Sequence, residues 1–124
     1  MRKLIGVYNA DGGLASELAY FFGHLVGVRQ CTLCDITHSP VRKKAQWKAL
    51  ETRLREELGY EFLLVHKNER TPEQLEASEG REPCVLIQDD SGDISMIMDW
   101  NDLKFSRGNV SSFEEILRAK LLMY

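Results

Sequence analysis

The sequence predicts a single α/β domain spanning residues 1–124, with a four-stranded mixed sheet flanked by helices on both faces. Three observations carry this reading. Short apolar runs of strand length alternate with stretches of helical periodicity, the pattern of strands joined by crossover helices. The boundaries between them are marked by capping residues, prolines and glycines. The chain has 124 residues, 44% of them hydrophobic and 28% charged, which suits one globular core without disulfide staples.

Lys3 to Tyr8 reads as a buried first strand. The two positive charges Arg2 and Lys3 are followed by too short an apolar stretch for a signal peptide. Asp11 offers an N-cap and Gly12-Gly13 a tight turn. Leu14, Leu18, Phe21, Phe22 and Leu25 then follow at helical spacing, with an end expected near Gly27. The segment Gln30-Cys31-Thr32-Leu33-Cys34-Asp35 comes next, as a loop or the first turn of a new element. Ser39 and Pro40 predict the N-cap and first residue of a second helix. Its inner stripe is Trp47, Leu50, Leu54 and Leu58, and Gly59 closes it.

Glu61 to His66 is a continuous apolar run ending in histidine, the composition of a central parallel strand covered on both faces. Thr71-Pro72-Glu73-Gln74 is a capping box that opens a short helix ending near Gly80. Pro83 to Ile87 and Ile94 to Trp100 form a hairpin across the Asp89–Asp93 turn. After a polar loop, Ser111 or Ser112 caps a last helix that turns Phe113, Ile116, Leu117 and Leu121 inward.

Bulk properties exclude several functions. A net charge of −3 argues against nucleic-acid binding by bulk charge. No apolar run reaches membrane-spanning length. Three cysteines, an odd number, argue against a structural disulfide framework and for a reducing cytoplasm. Asn9-Ala10-Asp11-Gly12-Gly13 is neither a P-loop nor a dinucleotide fingerprint, because the lysine and the glycine spacing are missing. No Ser/His/Asp order points to a hydrolase.

The feature that suggests chemistry is Cys31-x-x-Cys34, followed by His38. Two thiols this close can form a disulfide or share a metal. In the redox reading, Cys31 attacks a disulfide, Cys34 resolves the mixed disulfide and His38 moves a proton. On a helix, Cys31, Cys34 and His38 would share one face. Arg42, Lys43 and Lys44, expected in the first turn of the second helix, call for an anionic neighbour: a thiolate or an anionic substrate. Substrates would be protein or small-molecule disulfides, and no cofactor is required. In the metal reading Cys31, Cys34 and His38 are ligands, with Cys84 or His24 as the fourth, and the ion is a soft one, zinc or copper. Cys84 otherwise reads as a small core residue.

From Cys31 onward, the element order resembles the thioredoxin-like superfamily. There a Cys-x-x-Cys opens a helix, followed by a strand, a helix, a proline-led hairpin and a final helix. Cys31-Thr32-Leu33-Cys34-Asp35 is similar to the Cys-x-Leu-Cys-Asp of some glutaredoxin-like proteins. The resemblance implies that Pro83 is the proline, cis in that family, that packs beside the dithiol and shapes the substrate surface. It implies a redox-active disulfide, or a scaffold of that fold that has lost the chemistry and binds a protein or an anionic small molecule. The chain departs from the family in two ways. A whole helix, near residues 13–26, precedes the dithiol, and Gln30 stands before the first cysteine.

Overall fold

The computed structural model describes residues 2–9, 32–39 and 42–124; of Thr32, Asp35, His38, Ser39, Arg42 and Lys43 it describes the backbone alone. The expected first helix, with His24, lies outside the described residues. The elements are β1 (Arg2–Val7), α1 (Thr32–Thr37), β2 (His38–Ser39), β3 (Arg42–Lys43), α2 (Ala45–Arg53), β4 (Tyr60–Val65), α3 (Pro72–Ser78), β5 (Cys84–Gln88), β6 (Ile94–Met98), α4 (Trp100–Phe105) and α5 (Val110–Leu121).

The expected four-stranded mixed sheet is present, in the order β4-β1-β5-β6. β1 pairs parallel to β4, Arg2 opposite Tyr60 through Val7 opposite Val65. On its other side β1 runs antiparallel to β5, Val7 opposite Cys84 and Ile5 opposite Leu86. β5 and β6 form the expected hairpin, with a bulge between Val85 and Leu86. The central strand is thus β1, whose residues Leu4 to Tyr8 are all buried. The apolar run at 61–66 forms β4, which among the described residues pairs with β1 alone. Tyr60 and Phe62 are buried, whereas Leu63 to Val65 are half-buried. An apolar run records burial, not the number of neighbours, so its place at the end of the described strand order was not legible in it.

Strand alternation divides the core in two. Leu4, Tyr8, Phe62, Val85 and Ile87 face a large cluster completed by Leu33 and Ile36 of α1, Trp47 and Leu50 of α2, Leu103 of α4, and Phe113 and Leu117 of α5. Ile5, Val7, Cys84 and Leu86 face the other side, where Ala77 of α3 packs against them. Three rings tie the large cluster together. Trp47 meets Phe62 edge-on at 5.0 Å between centroids and lies 5.2 Å from Phe113. Such pairs prefer tilted and edge-to-face arrangements over stacked ones.

Local signals set most boundaries. The Thr71 hydroxyl accepts from Gln74 N–H while Gln74 Oε1 accepts from Thr71 N–H, the reciprocal box expected for α3. Gly59, at φ 73°, ends the second helix in the left-handed region that favours glycine. Between α2 and Gly59 the helix widens into a π turn, Leu54–Leu58. The wider turn carries Leu58 off the Trp47, Leu50, Leu54 stripe, and it is 42% exposed.

Three expectations are corrected. The second helix starts at Ala45 rather than at Ser39-Pro40; Ser39 pairs with Arg42 in a short β2–β3 ribbon. Trp100 belongs to α4 rather than to the preceding strand, because Asp99 and Asp102 exchange capping bonds of 3.0 Å that end β6 and start a helix. α5 is capped by Asn109, whose side chain accepts from Ser112 N–H, instead of by a serine. Among the described residues, no helix is long and apolar enough to cross a membrane.

Candidate functional site

Cys31 lies outside the described residues, and α1 begins at the next residue. Thr32 to Cys34 therefore open a helix, the more structured of the two expected alternatives. Leu33 and Ile36, three apart, point into the core and are fully buried. Cys34 stands beside them, half-buried, against the large cluster. Gly6 of β1 makes room for this helix. A Cβ there would lie 3.2 Å from Leu33 Cδ2, 3.2 Å from Phe62 Cε1 and 2.9 Å from Leu64 Cδ2. Leu33 thus seats directly on the backbone of the central strand.

α1 ends at Thr37 for a reason the sequence did not announce. The Thr37 side chain is fully buried, and its Oγ1 lies 2.8 Å from the Tyr8 hydroxyl. The same Oγ1 donates to the Cys34 carbonyl at 3.5 Å, the back-bonding geometry of a helical threonine. Lys44 N–H donates to the Thr37 carbonyl at 2.9 Å, and between them His38–Ser39 and Arg42–Lys43 pair as the β2–β3 ribbon. His38 is therefore extended backbone, paired with Lys43, and does not continue the helical face of Cys34. Arg42 and Lys43 sit in β3 and Lys44 at the N-cap of α2, not in a helix's first turn. The Lys44 ammonium donates to the Gly108 carbonyl at 2.7 Å.

The Glu82–Pro83 peptide bond is cis, and Pro83 immediately precedes β5. Because Cys84 pairs with Val7, Pro83 lies at the same end of the sheet as the C-termini of β1 and β4. Glu82 is held by a buried ion pair with Arg70 at 2.5 Å, and the same guanidinium donates to Ser78 Oγ at 2.9 Å. Cys84 is a fully buried free thiol. Burial, reinforced by the negative charge of Glu82, pushes its pKa up to about 12. It faces Ile5, Val7 and Leu86, whereas Cys34 packs on the other cluster. The structure does not bring Cys84 and Cys34 together, since the sheet stands between their side chains.

Sequence reasoning missed the polar group at this end of the sheet. Tyr8, 3% exposed, follows β1 directly and donates its N–H to the Val65 carbonyl. Its ring lies 5.0 Å from that of His66, the residue after β4. His66 Nδ1 is 2.8 Å from Glu69 Oε1, which also accepts from His66 N–H. These bonds to His66 hold the Glu69 carboxyl below its ordinary range. The available signal was Tyr8 itself, since a tyrosine ending a buried strand needs a partner for its hydroxyl.

Among the described residues, no three His, Cys, Asp or Glu side chains converge as a metal site; Cys31, His24 and the His38 side chain lie outside that set. Comparison of the chain with known protein families, with curated proteins and with solved structures found no match.

Proposed function

We propose that this chain is a thioredoxin-like dithiol protein, a small cytoplasmic thiol–disulfide oxidoreductase acting through Cys31 and Cys34, with helices covering both faces of its sheet. The observation that carries the reading is the position of α1. It starts at the residue after Cys31 and seats Cys34 half-buried against the core, so Cys34 lies in the first turn of a short, anchored helix. The order after the dithiol supports it in part: a parallel strand, a helix, a hairpin led by Pro83 and the last helix α5 follow, while the β2–β3 ribbon and α2 before that strand and α4 after the hairpin are additions to the expected order.

In this reading the Cys31 thiolate attacks a protein or small-molecule disulfide, and one substrate thiolate leaves. Cys34 then attacks Cys31 Sγ, releasing the second substrate thiol and leaving the Cys31–Cys34 disulfide. A thiol reductant, such as reduced glutathione, returns the dithiol. Arg42 and Lys43 follow α1 in the β2–β3 ribbon and serve an anionic part of the substrate. Pro83 shapes the substrate surface, and His38, next to the end of α1, handles the proton.

Native mass spectrometry of protein purified without oxygen tests this. Brief oxidation makes the protein lighter by two hydrogens, with the link mapped to Cys31–Cys34. Cys31→Ser abolishes disulfide reduction, and Cys34→Ser traps a mixed disulfide with glutathione. A metal ion on the unoxidised protein, lost in Cys31→Ser, would overturn the reading in favour of a metal module.

A further inference from the structure

We propose that the outer edge of β6 pairs with the β6 of a second copy of this chain, antiparallel about a twofold axis, joining two four-stranded sheets into one. The contact is separate from the dithiol and does not depend on its chemistry.

Among the described residues β6 pairs with β5 alone, so its other edge carries no strand. The hairpin fixes which backbone groups face that edge. Asp89 N–H donates to the Asp93 carbonyl at 3.1 Å, so this pair turns its backbone groups toward each other. Successive strand residues alternate between the two edges. Ser95, opposite Ile87, therefore bonds to β5, whereas Ile94 and Met96 turn their N–H and C=O groups outward. Edge strands that stay single are guarded by charged side chains, prolines or bulges. Ile94-Ser95-Met96-Ile97-Met98 has no charge and no proline. The bulge in the hairpin lies beyond Met96, which leaves the stretch 94–96 regular. Ser95 is exposed at the centre of that stretch, and the half-buried Ile94 and Met96 pack on the small cluster.

The charges at the two ends of β6 make a second copy its fitting occupant. Before the strand stand Asp89 and Asp93, both exposed, whose carboxylates accept from Ser91 within their own turn. After it stands the exposed Lys104, its ammonium 5.8 Å over the ring of Trp100, which is 48% exposed. The acids at this second end are engaged: Asp99 caps α4, and Asp102 pairs with Lys120 at 3.1 Å. A strand acidic at one end and basic at the other complements itself when antiparallel, and the twofold axis makes that contact twice. With Ile94 opposite the other copy's Met96, the outward groups exchange hydrogen bonds and Ser95 meets its own copy on the axis.

Sedimentation velocity of the whole chain, from micromolar to near-millimolar concentration, reads the assembly, and amide hydrogen exchange locates it. Wild type passes from monomer to dimer as concentration rises. Exchange at Ile94 and Met96 slows over the same range, while Ser95, already bonded to β5, keeps its rate. Ser95→Lys sets like charges face to face on the axis and abolishes the dimer. Lys104→Glu weakens dimerisation by about five- to tenfold, because two charge pairs are reversed per dimer. Adding Asp93→Lys to it swaps the charges and restores the affinity. A chain that stays monomeric throughout would overturn the proposal. So would a dimer that Ser95→Lys leaves intact, since the contact would then lie elsewhere. A charge swap that recovers nothing counts against the antiparallel pairing. If Ser95→Lys does not fold, the wild-type exchange decides: a dimer in which Ile94 and Met96 exchange at the monomer's rate does not use this edge.

Discussion

Cys34 and Cys84 pack on opposite faces of one sheet, Cys34 with Leu33 and Ile36 over one face and Cys84 with Ile5 and Leu86 on the other. Two thiols that a linear reading could unite at one site are therefore parted by the central strand. Cys84, fully buried and with its pKa pushed up to about 12, is held as a neutral thiol in an apolar cluster.

Cys84 is expected to resist alkylation in the native protein at pH 8 and to react once the chain is unfolded. Peptide mapping after iodoacetamide treatment, with and without denaturant, checks this. Cys84→Ala leaves a small cavity beside Val7 and Leu86 and lowers stability by about 1–2 kcal/mol in urea denaturation. Oxidation of the Cys31–Cys34 pair is unchanged by it. Native labelling of Cys84 at neutral pH would contradict the burial described above.

The Arg70–Glu82 pair gives a sharper stability test, because both side chains are nearly closed to solvent, at 6% and 7% exposure. Glu82→Gln leaves the guanidinium buried beside Ser78 without its countercharge. The expected loss is about 3–5 kcal/mol, the range for breaking a buried pair from one side. Replacing both partners, Arg70→Met with Glu82→Gln, restores a large part of it, since no buried charge remains. Denaturant midpoints of wild type and the two variants measure the difference. A single variant as stable as wild type would show that the pair contributes nothing.

Glu114 gives the chain an acid-sensitive contact. Hydrogen bonds from Arg53 first, and from Arg118 at 2.8 Å, hold its carboxyl below the ordinary value of 4.5. A depressed carboxyl stabilises the fold fully above pH 4.5, and that stabilisation is lost as pH falls below 4.5 through the folded value. Glu114→Gln is expected to lower Tm near neutrality and to flatten its decline as pH falls below 4.5. Parallel melting curves across this range are the measurement. An identical acid slope in variant and wild type would remove Glu114 from the account. The Arg53 side chain is 40% exposed, so added salt weakens the effect.

By itself the sequence determined the features whose cause is local. Thr71 and Gln74 are close enough along the chain to form their box before anything else folds, and Gly59 needs only its own backbone freedom. The Asp89–Asp93 turn joins the two strands on either side of it. The α/β class follows from these signals and from the apolar runs between them. The opening of a helix after Cys31 was one of two readings the residues allowed.

Tertiary structure decided what depends on a distant partner. The apolar run of β4 could not reveal that its only described neighbour is β1. The face taken by Cys84 follows from the pairing of β5 with β1, which sets Cys84 opposite Val7, 77 positions earlier in the chain. The end of α1 at Thr37 is set by Tyr8, 29 positions away, and by the Lys44 amide. That contact turns His38 out of the helix and moves the start of α2 from Ser39 to Ala45. Helical periodicity and capping preferences sum over neighbours a few residues apart. A buried hydroxyl pair or a strand register is chosen only when the sheet has assembled, and here those choices set the geometry around Cys34.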